Sequence, residues 1–361
     1  IESGEGGFIN IYKTDDWSLF KKLEDDKFGY FKNARFMPDN KFLLCQTSDN
    51  SFRIWNIETE QWVTILKSAD GDEWIVYDSD GYWDSSANGG DLVAMVSGLN
   101  CWNIDQFAVK NNRPDLIFAK LPFGDNDLVT HYKSQYLKRL KKLGFVDKNG
   151  NPDESLLSED FHVPEAKIIE SKQNDKFVNI QFTLNDSKYD IKRYNIFVND
   201  VPLFGAYGKS FDALRMALDD KKKYILSEKI ELTTGQNKIE VSCMNEKGAE
   251  SYRALTMASY NPPKSPFNKG GFKPDLYYIG FGVSKYKDAS LNLNYADKDA
   301  KDLADLYSKM KNQYANIYTH TFVNEECTVE NIRKAKELLK NAKPDDAFVL
   351  FIAGHGIHDT D

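Results

Sequence analysis

A short apolar run near the C-terminus, followed at once by a histidine between two glycines, constrains this chain more than any other stretch. Residues 348–352 read Phe-Val-Leu-Phe-Ile, and polar residues bound them. Such a run is typical of a strand buried on both faces of a parallel sheet. Gly354, His355 and Gly356 follow it, at the strand end where open α/β sheets hold their ligands. The sequence therefore predicts a catalytic site at His355.

Histidine suits such a site because its unperturbed pKa lies close to neutrality, so it can deprotonate a thiol and later protonate a leaving amine. The flanking glycines permit unusual backbone angles and the close approach of a substrate. A solvated or structural histidine needs neither, so we expect His355 to be catalytic. His358 and Asp359 are close enough in sequence to orient its ring.

Strand and helix patterns alternate before this run, as a parallel sheet with right-handed crossovers requires. The pattern predicts strands at 277–283 and 318–323, and helices at 297–310 and 329–340. Thr328 is expected to cap the second helix. Helical spacing predicts that the apolar residues of both helices face inward: Leu303, Leu306, Tyr307, Met310, Ile332, Ala335, Leu338 and Leu339.

Three motifs in this segment resemble the caspase and metacaspase clan of cysteine peptidases. Residues 277–283 resemble the first strand of the clan, and residues 351–356 resemble the strand that delivers the catalytic histidine. Residues 293–303, Leu-Asn-Tyr-Ala-Asp-Lys-Asp-Ala-Lys-Asp-Leu, are similar to the pattern that opens its first helix. The resemblance implies an incomplete three-layer α/β caspase-like core over residues 274–361. It also implies that His355 is the general base and that the Gly356 N–H helps to hold the oxyanion.

The nucleophile expected from this resemblance is a cysteine roughly 50 residues beyond the histidine. The sequence ends six residues after His355, so we expect that cysteine, and the rest of a six-stranded sheet, on polypeptide beyond Asp361. The segment should then expose apolar edges or be completed by other polypeptide. Cys327 precedes a helix and lies upstream of the histidine, so we expect it to be a small packed residue.

Asp297 and Asp299 fall at the start of the first helix of this segment. Acidic residues there interact favourably with the helix dipole. The same two carboxylates are also candidates for an acidic substrate-binding pocket, and the sequence leaves both interpretations open.

A weak repeat marks the N-terminal residues. Residues 8–17 can be laid over residues 51–62, with a spacing of 43 residues between Ile11 and Ile54. Blades of WD-repeat propellers recur at about 40 to 45 residues. The resemblance implies that residues 1–70 are the C-terminal blades of such a propeller, with further blades before Ile1 and a partner protein on its rim. A lone β-meander is the alternative.

Two further modules are expected between these ends. Residues 71–160 contain a hairpin signal at Asp80-Gly81, and helical spacing at 105–120 and 127–143. The second helix has a basic face, which is either solvated or binds a partner. Residues 161–264 carry short alternating strands that resemble an immunoglobulin-like or fibronectin-like β-sandwich. This order of modules is similar to that of bacterial multidomain caspase homologues with WD repeats.

Composition limits the possible partners. A net charge of −8 argues against a nucleic-acid-binding surface. No stretch approaches the roughly 20 apolar residues that span a bilayer. The four cysteines are far apart, in neither a disulfide nor a metal-ligand pattern, so we expect a reducing, cytoplasmic setting and no metal or cofactor. The sequence thus predicts a cysteine endopeptidase acting on a protein or peptide substrate. The alternative is a non-catalytic adaptor that binds proteins through its propeller and sandwich.

Overall fold

The computed structural model describes residues 1–4, 7–25, 30–158, 160–211, 223–262 and 273–356, and its N-terminal strands form two antiparallel sheets. The first sheet contains β1 (Glu2–Gly4), β2 (Phe8–Tyr12) and β3 (Leu19–Glu24). The second contains six strands in chain order: β4 (Phe31–Phe36), β5 (Phe42–Thr47), β6 (Phe52–Asn56), β7 (Trp62–Lys67), β8 (Trp74–Asp78) and β9 (Trp83–Ser85).

Alternate apolar side chains hold these two sheets together. Ile9 and Leu23 of the first sheet share one buried cluster with Leu43 and Trp55 of the second. The strands form open sheets and do not close into a ring within the described ranges, so the predicted propeller is not shown. The six-stranded sheet also runs past residue 70, because the predicted hairpin pairs β9 with β8.

The connecting module contains one further hairpin and a group of short helices. Its elements are 3-10 helices at Gly89–Leu92, Ile104–Phe107 and Glu154–Leu156, strands β10 (Ala94–Ser97) and β11 (Asn100–Asn103), and helices α1 (Ala108–Asn111), α2 (Pro114–Lys120) and α3 (Asn126–Leu143). Pro114 begins α2, and Gly144, with φ of 79°, ends α3. Helices lie in both segments where helical spacing predicts them, and residues 112–113 separate α1 from α2 in the first segment. No helix in the described ranges is long and apolar enough to cross a bilayer.

Residues 165–260 form two sheets that share one buried core, the arrangement of a β-sandwich. One sheet has the order β12 (Glu165–Asn174), β13 (Phe177–Asn185), β17 (Lys223–Glu231). The other has the order β15 (Val201–Pro202), β14 (Ile191–Val198), β18 (Gly235–Asn245), β19 (Ala254–Tyr260), and β16 (Lys209–Ser210) pairs with β14. Phe182, Ile196 and Val241 are fully buried between the sheets. Whether the sandwich has an immunoglobulin-like or fibronectin-like topology stays a prediction.

The C-terminal segment is a parallel sheet with a helix on each face, as its alternating pattern predicts. Its elements are β20 (Leu276–Gly282), α4 (Ala296–Ser308), β21 (Ile317–Val323), α5 (Val329–Ala335), a 3-10 helix at Lys336–Leu339, and β22 (Ala347–Ala353). The strand order is β21-β20-β22. The Tyr278 hydroxyl donates to the Ala300 carbonyl of α4 on one face, at 2.8 Å. On the other face, Ala335 of α5 packs against Ile279 and Phe281.

The strand that leads to His355 is an outer strand here, so its predicted burial on both faces is wrong. One face of β22 is at least half exposed, at Phe348, Leu350 and Ile352. The doubly buried strand is β20, all seven residues of which are buried. The predicted inward orientation is also wrong for three helix residues that are exposed: Leu306, Ile332 and Leu338. For β22 and Ile332 the physical reason is that α5 packs over β20 and leaves the same face of β22 uncovered.

Candidate active site

A closed loop between β20 and α4 forms one wall of the candidate site. The Leu293 N–H donates to the Ser284 carbonyl at 2.9 Å, which joins the two ends of the loop. Inside it, the Tyr286 N–H donates to Oδ1 of Asn292 at 2.8 Å. Because β20 and β22 are parallel neighbours, this loop and the residues after β22 lie at the same edge of the sheet. That edge is the carboxyl one, where the sequence predicts the site.

The imidazole of His355 is oriented by this loop and remains exposed. Its Nε2 atom lies 2.9 Å from the carbonyl oxygen of Leu291. A carbonyl oxygen only accepts hydrogen bonds, so Nε2 must carry the proton in this contact. Neutral imidazole then has its lone pair on Nδ1, and this nitrogen is the proton acceptor that the site offers.

Tyr286 contacts the same residue from a second direction. Its hydroxyl oxygen accepts the backbone N–H of His355 at 2.7 Å. Its ring lies 5.1 Å from the imidazole, centroid to centroid, with 51° between the two planes. Gly354 also lies close to this hydroxyl, since a Cβ atom built on Gly354 would be 3.0 Å from it. Tyr286 is therefore packed against both Gly354 and His355.

Gly356 lies in open space beside the histidine. A Cβ atom built on it would meet nothing within 4 Å. This room permits a substrate carbonyl to approach the backbone there. The assignment of the Gly356 N–H to an oxyanion stays a prediction, and His358 and Asp359 lie outside the described residues.

Asp297 joins three pieces of the carboxyl edge. The Ser284 hydroxyl donates to its Oδ1 atom, and its own N–H donates to that hydroxyl at 2.9 Å. Asn324, after β21, donates to its Oδ2 atom at 3.4 Å. The hydrogen bond from Ser284 lowers the pKa of the Asp297 carboxyl below its ordinary value. Asp299 is exposed in the first turn of α4. The substrate-binding role of both residues stays a prediction.

The cysteines are not arranged for nucleophilic attack with His355. The Cys327 thiol donates to the Phe322 carbonyl at 3.2 Å, and burial raises its pKa. A raised pKa disfavours the thiolate, which is the nucleophilic form of cysteine. Cys45 and Cys243 are buried in the two β regions, and Cys101 is exposed on β11. Among the described residues, no cysteine sulfur is hydrogen-bonded to the His355 ring.

An apolar groove leads along the sheet to the histidine. It has a volume of about 540 Å³ and lies between α5 and the exposed face of β22. Ile332 and Lys336 form one side, Leu350 and Ile352 form the other, and His355 stands at its end. The sequence predicts that this segment exposes apolar edges or is completed by other polypeptide, and the groove is an exposed apolar surface of that kind.

Sequence reasoning missed Tyr286 and Leu291. Leu291 acts through its backbone carbonyl, which leaves no signal in the side-chain pattern. Tyr286 lies in the loop right after the first strand of the caspase-like pattern, and that position at the carboxyl edge is the signal that could have identified it.

A parallel sheet with a helix on each face is an α/β fold, and folds of this class hold their ligands at the carboxyl edge, where His355 lies. Within that class, residues 279–361 match the family model described as the caspase domain, a peptidase family. The C-terminal segment of this chain is therefore caspase-like, as its motifs predict, and peptidase activity is the function it supports. A comparison with curated proteins gave no significant match.

Three solved structures show distant similarity to this chain. The PKD domain of a peptidase from a Thermoplasmatales archaeon is 14% identical, covering 27% of this chain and 93% of that one, with a TM-score of 0.20. Fibronectin(III)-like modules of Clostridium thermocellum CbhA are 11% identical, covering 71% and 87%, with a TM-score of 0.20. The vertebrate-specific protein Astrotactin-2 is 14% identical, covering 61% and 37%, with a TM-score of 0.21. Similarities at this level support no conclusion about fold or function.

Proposed function

We propose that this protein is a cysteine endopeptidase of the caspase-like clan, with His355 as its general base. Nδ1 of His355 takes the proton of a cysteine thiol, and the thiolate sulfur attacks the carbonyl carbon of a peptide bond. The imidazolium then returns the proton to the leaving amine as the C–N bond breaks, and a thioester remains. Water hydrolyses the thioester, with His355 again accepting a proton.

The observation that carries this proposal is the contact between His355 Nε2 and the Leu291 carbonyl. It leaves Nδ1 as the basic nitrogen of an exposed ring. A surface histidine without a catalytic role needs no fixed tautomer. The match of residues 279–361 to the caspase domain supports the same reaction class.

The nucleophile in this proposal is a cysteine on polypeptide that is not among these 361 residues. Cys327 supports this, because partial burial raises the pKa of its thiol and its sulfur donates to the Phe322 carbonyl. The same polypeptide would add strands beside β22 and cover its apolar face. Gly356 would donate its N–H to the oxyanion, and Asp297 and Asp299 would lie beside the bound substrate. The cytoplasmic location and the WD-repeat propeller with its partner protein belong to this proposal too.

The test replaces His355 by alanine in the full-length encoded protein that contains these residues. We expect kcat/KM for a quenched fluorescent peptide to fall by about 10²- to 10⁴-fold, the usual contribution of a general base. The matched control is His320→Ala, because His320 is an exposed histidine on β21 of the same sheet. Circular dichroism should show both variants folded. Equal turnover of His355→Ala and wild type would refute the assignment.

A non-catalytic adaptor is the second candidate. The observation that favours it is that no cysteine pairs with His355 in the described part of the chain. In that case the wild-type protein cleaves no member of a peptide library, and the only effect of His355→Ala is a local change in the protein surface. Cleavage that depends on His355 would exclude the adaptor.

A further inference from the structure

His355 is held by two hydrogen bonds, one from its backbone N–H and one from its ring. The Tyr286 hydroxyl accepts the N–H of His355, and the Leu291 carbonyl accepts the Nε2–H of the same residue. Both groups come from the loop that the contact between Leu293 and Ser284 closes. The loop thus holds His355 at two points, one on the main chain and one at the far end of the side chain.

Two such points are needed because of the residues on either side. Gly354 and Gly356 leave the backbone around His355 with more conformational freedom than any other pair of neighbours would. A hydrogen bond from the ring alone leaves the main chain free to rotate, and Nδ1 would then move even while Nε2 stays bonded. The bond to the tyrosine hydroxyl removes that freedom.

Gly354 also packs closely against the Tyr286 hydroxyl. A Cβ atom on Gly354 would lie 3.0 Å from the Tyr286 hydroxyl oxygen, and its next neighbour, the Cβ atom of Val283, is at 3.6 Å. The tyrosine oxygen is therefore the atom that an alanine at this position would press upon. A single oxygen atom accounts for both the close approach at Gly354 and the hydrogen bond at His355.

We propose that Tyr286 is a positioning residue that holds the His355 main chain so that Nδ1 points at the nucleophile. This rests on the proposed function for its effect on catalysis. The effect of Tyr286 on the position of His355 is independent of the proposed function, because both contacts lie within the described chain. Tyr286→Phe removes the hydroxyl and retains the ring, so it tests the hydrogen bond separately from the packing.

The first experiment observes His355 in this 361-residue chain by ¹⁵N NMR. In the wild type we expect one neutral tautomer, with the proton on Nε2. In Tyr286→Phe we expect both tautomers to be populated, because the ring no longer has a fixed position relative to Leu291. The control is Tyr318→Phe, since Tyr318 is half exposed, stacks on another ring, and lies at the opposite end of the sheet. If Tyr286→Phe keeps the single Nε2-protonated tautomer of the wild type, the proposal is overturned.

The second experiment uses Gly354→Ala and follows the same signal. Alone, this change should disturb the tautomer by pressing on the hydroxyl, and in a Tyr286→Phe background it should add little, because the oxygen is gone. Independent, additive effects would contradict the coupling. This double-mutant cycle remains informative even where Tyr286→Phe lowers the stability of the segment. The effect of Gly354→Ala in the Tyr286→Phe background is measured against Tyr286→Phe itself.

The third experiment measures peptide cleavage by the full-length protein. We expect Tyr286→Phe to lower kcat about tenfold with KM unchanged, as expected for a base that is less often in place. An unchanged kcat, beside a changed tautomer, would show that the contact does not serve catalysis. A wild-type protein without cleavage would reject the proposed function and leave the NMR result to decide on Tyr286.

Discussion

Solvent reaches the four thiols of this chain to different degrees. Cys101 is exposed on β11, Cys327 is half-buried, and Cys45 and Cys243 are buried. Burial raises the pKa of Cys45 to about 12 and also raises that of Cys243. Since the thiolate is the reactive form, we expect iodoacetamide to label Cys101 first in the native protein and Cys327 more slowly. Cys45 and Cys243 should be labelled only after unfolding in guanidinium, as followed by mass spectrometry of peptides.

The control for this labelling is Cys101→Ser, which should remove the fast phase and leave the others. Rapid native labelling of Cys243 would contradict the burial of the sandwich core. Rapid labelling of Cys327 would contradict the proposed location of the nucleophile. It would show an activated thiol near His355 and make Cys327 a candidate nucleophile.

The sequence predicts where a single residue lies in the fold when a motif places it directly after a strand. His355 and Gly356 were predicted from one strand end, and the structure places them at that edge. The partners that orient His355 were not predicted, because one is a carbonyl and the other is a loop tyrosine 69 residues earlier. Asp297 was predicted as either a helix-start or a pocket residue, and its contact with Ser284 depends on how the loop folds back.

Elements with a clear period were predicted, and those without one were not. The strands β13 and β20 and the helix α3 follow their apolar patterns closely. By contrast, β12 reads Glu-Ala-Lys-Ile-Ile-Glu-Ser-Lys-Gln-Asn, and most of it is exposed. Such a charged stretch has low intrinsic strand preference, and pairing with β13 along its whole length determines its structure. The exposure of β22 was missed because a local apolar run does not reveal which strands lie beside it.

The core of the sandwich provides a prediction at the level of elements. Phe182 of β13 is fully buried, and its ring lies 5.7 Å from that of Tyr194 on the opposite sheet. Phe182→Ala leaves a cavity between the sheets, so we expect the sandwich to lose about 3–5 kcal/mol of unfolding free energy. Scanning calorimetry measures this as a lower melting temperature of the sandwich transition.

The matched control lies on the outer face of the neighbouring strand. Ile225 of β17 is 45% exposed, and Ile225→Ala should change the unfolding free energy by less than about 1 kcal/mol. Equal losses for the two variants would mean that the two faces of the sandwich are assigned wrongly.

Across the whole molecule, the connecting module is joined to the sandwich by hydrogen bonds and by packing. The Glu250 N–H donates to the Gln106 carbonyl at 2.7 Å. Met244 of β18 belongs to the same buried cluster as Tyr136 and Leu140 of α3. These contacts hold two modules that the sequence separates near residue 160, and the sequence could not reveal them because they join residues far apart in the chain.

A buried carboxylate in the sandwich module links the stability of that module to pH. Asp186, between β13 and β14, accepts the N–H groups of Lys188 and Tyr189 at 2.7 and 2.8 Å. It also contacts Nε2 of His162, just before β12, at 2.7 Å, and accepts a hydrogen bond from the Asn245 amide at 3.0 Å. Burial alone would raise the pKa of Asp186, but these hydrogen bonds outweigh it and lower the pKa below its ordinary value.

A carboxyl with a lower pKa in the folded chain stabilises the fold above its unfolded pKa, about 3.9, and this contribution is lost as pH falls through the folded value. We therefore expect the sandwich transition to weaken below about pH 4. Asp186→Asn should cost about 1–3 kcal/mol at pH 7 and flatten the dependence in that acid range. Asp200→Asn is the control, because its carboxylate is 70% exposed beside Lys238 and should leave the profile unchanged. Calorimetry from pH 3 to 7 measures how the melting temperature of the sandwich transition depends on pH. If that temperature still falls in acid in Asp186→Asn, the pH dependence belongs to other carboxylates.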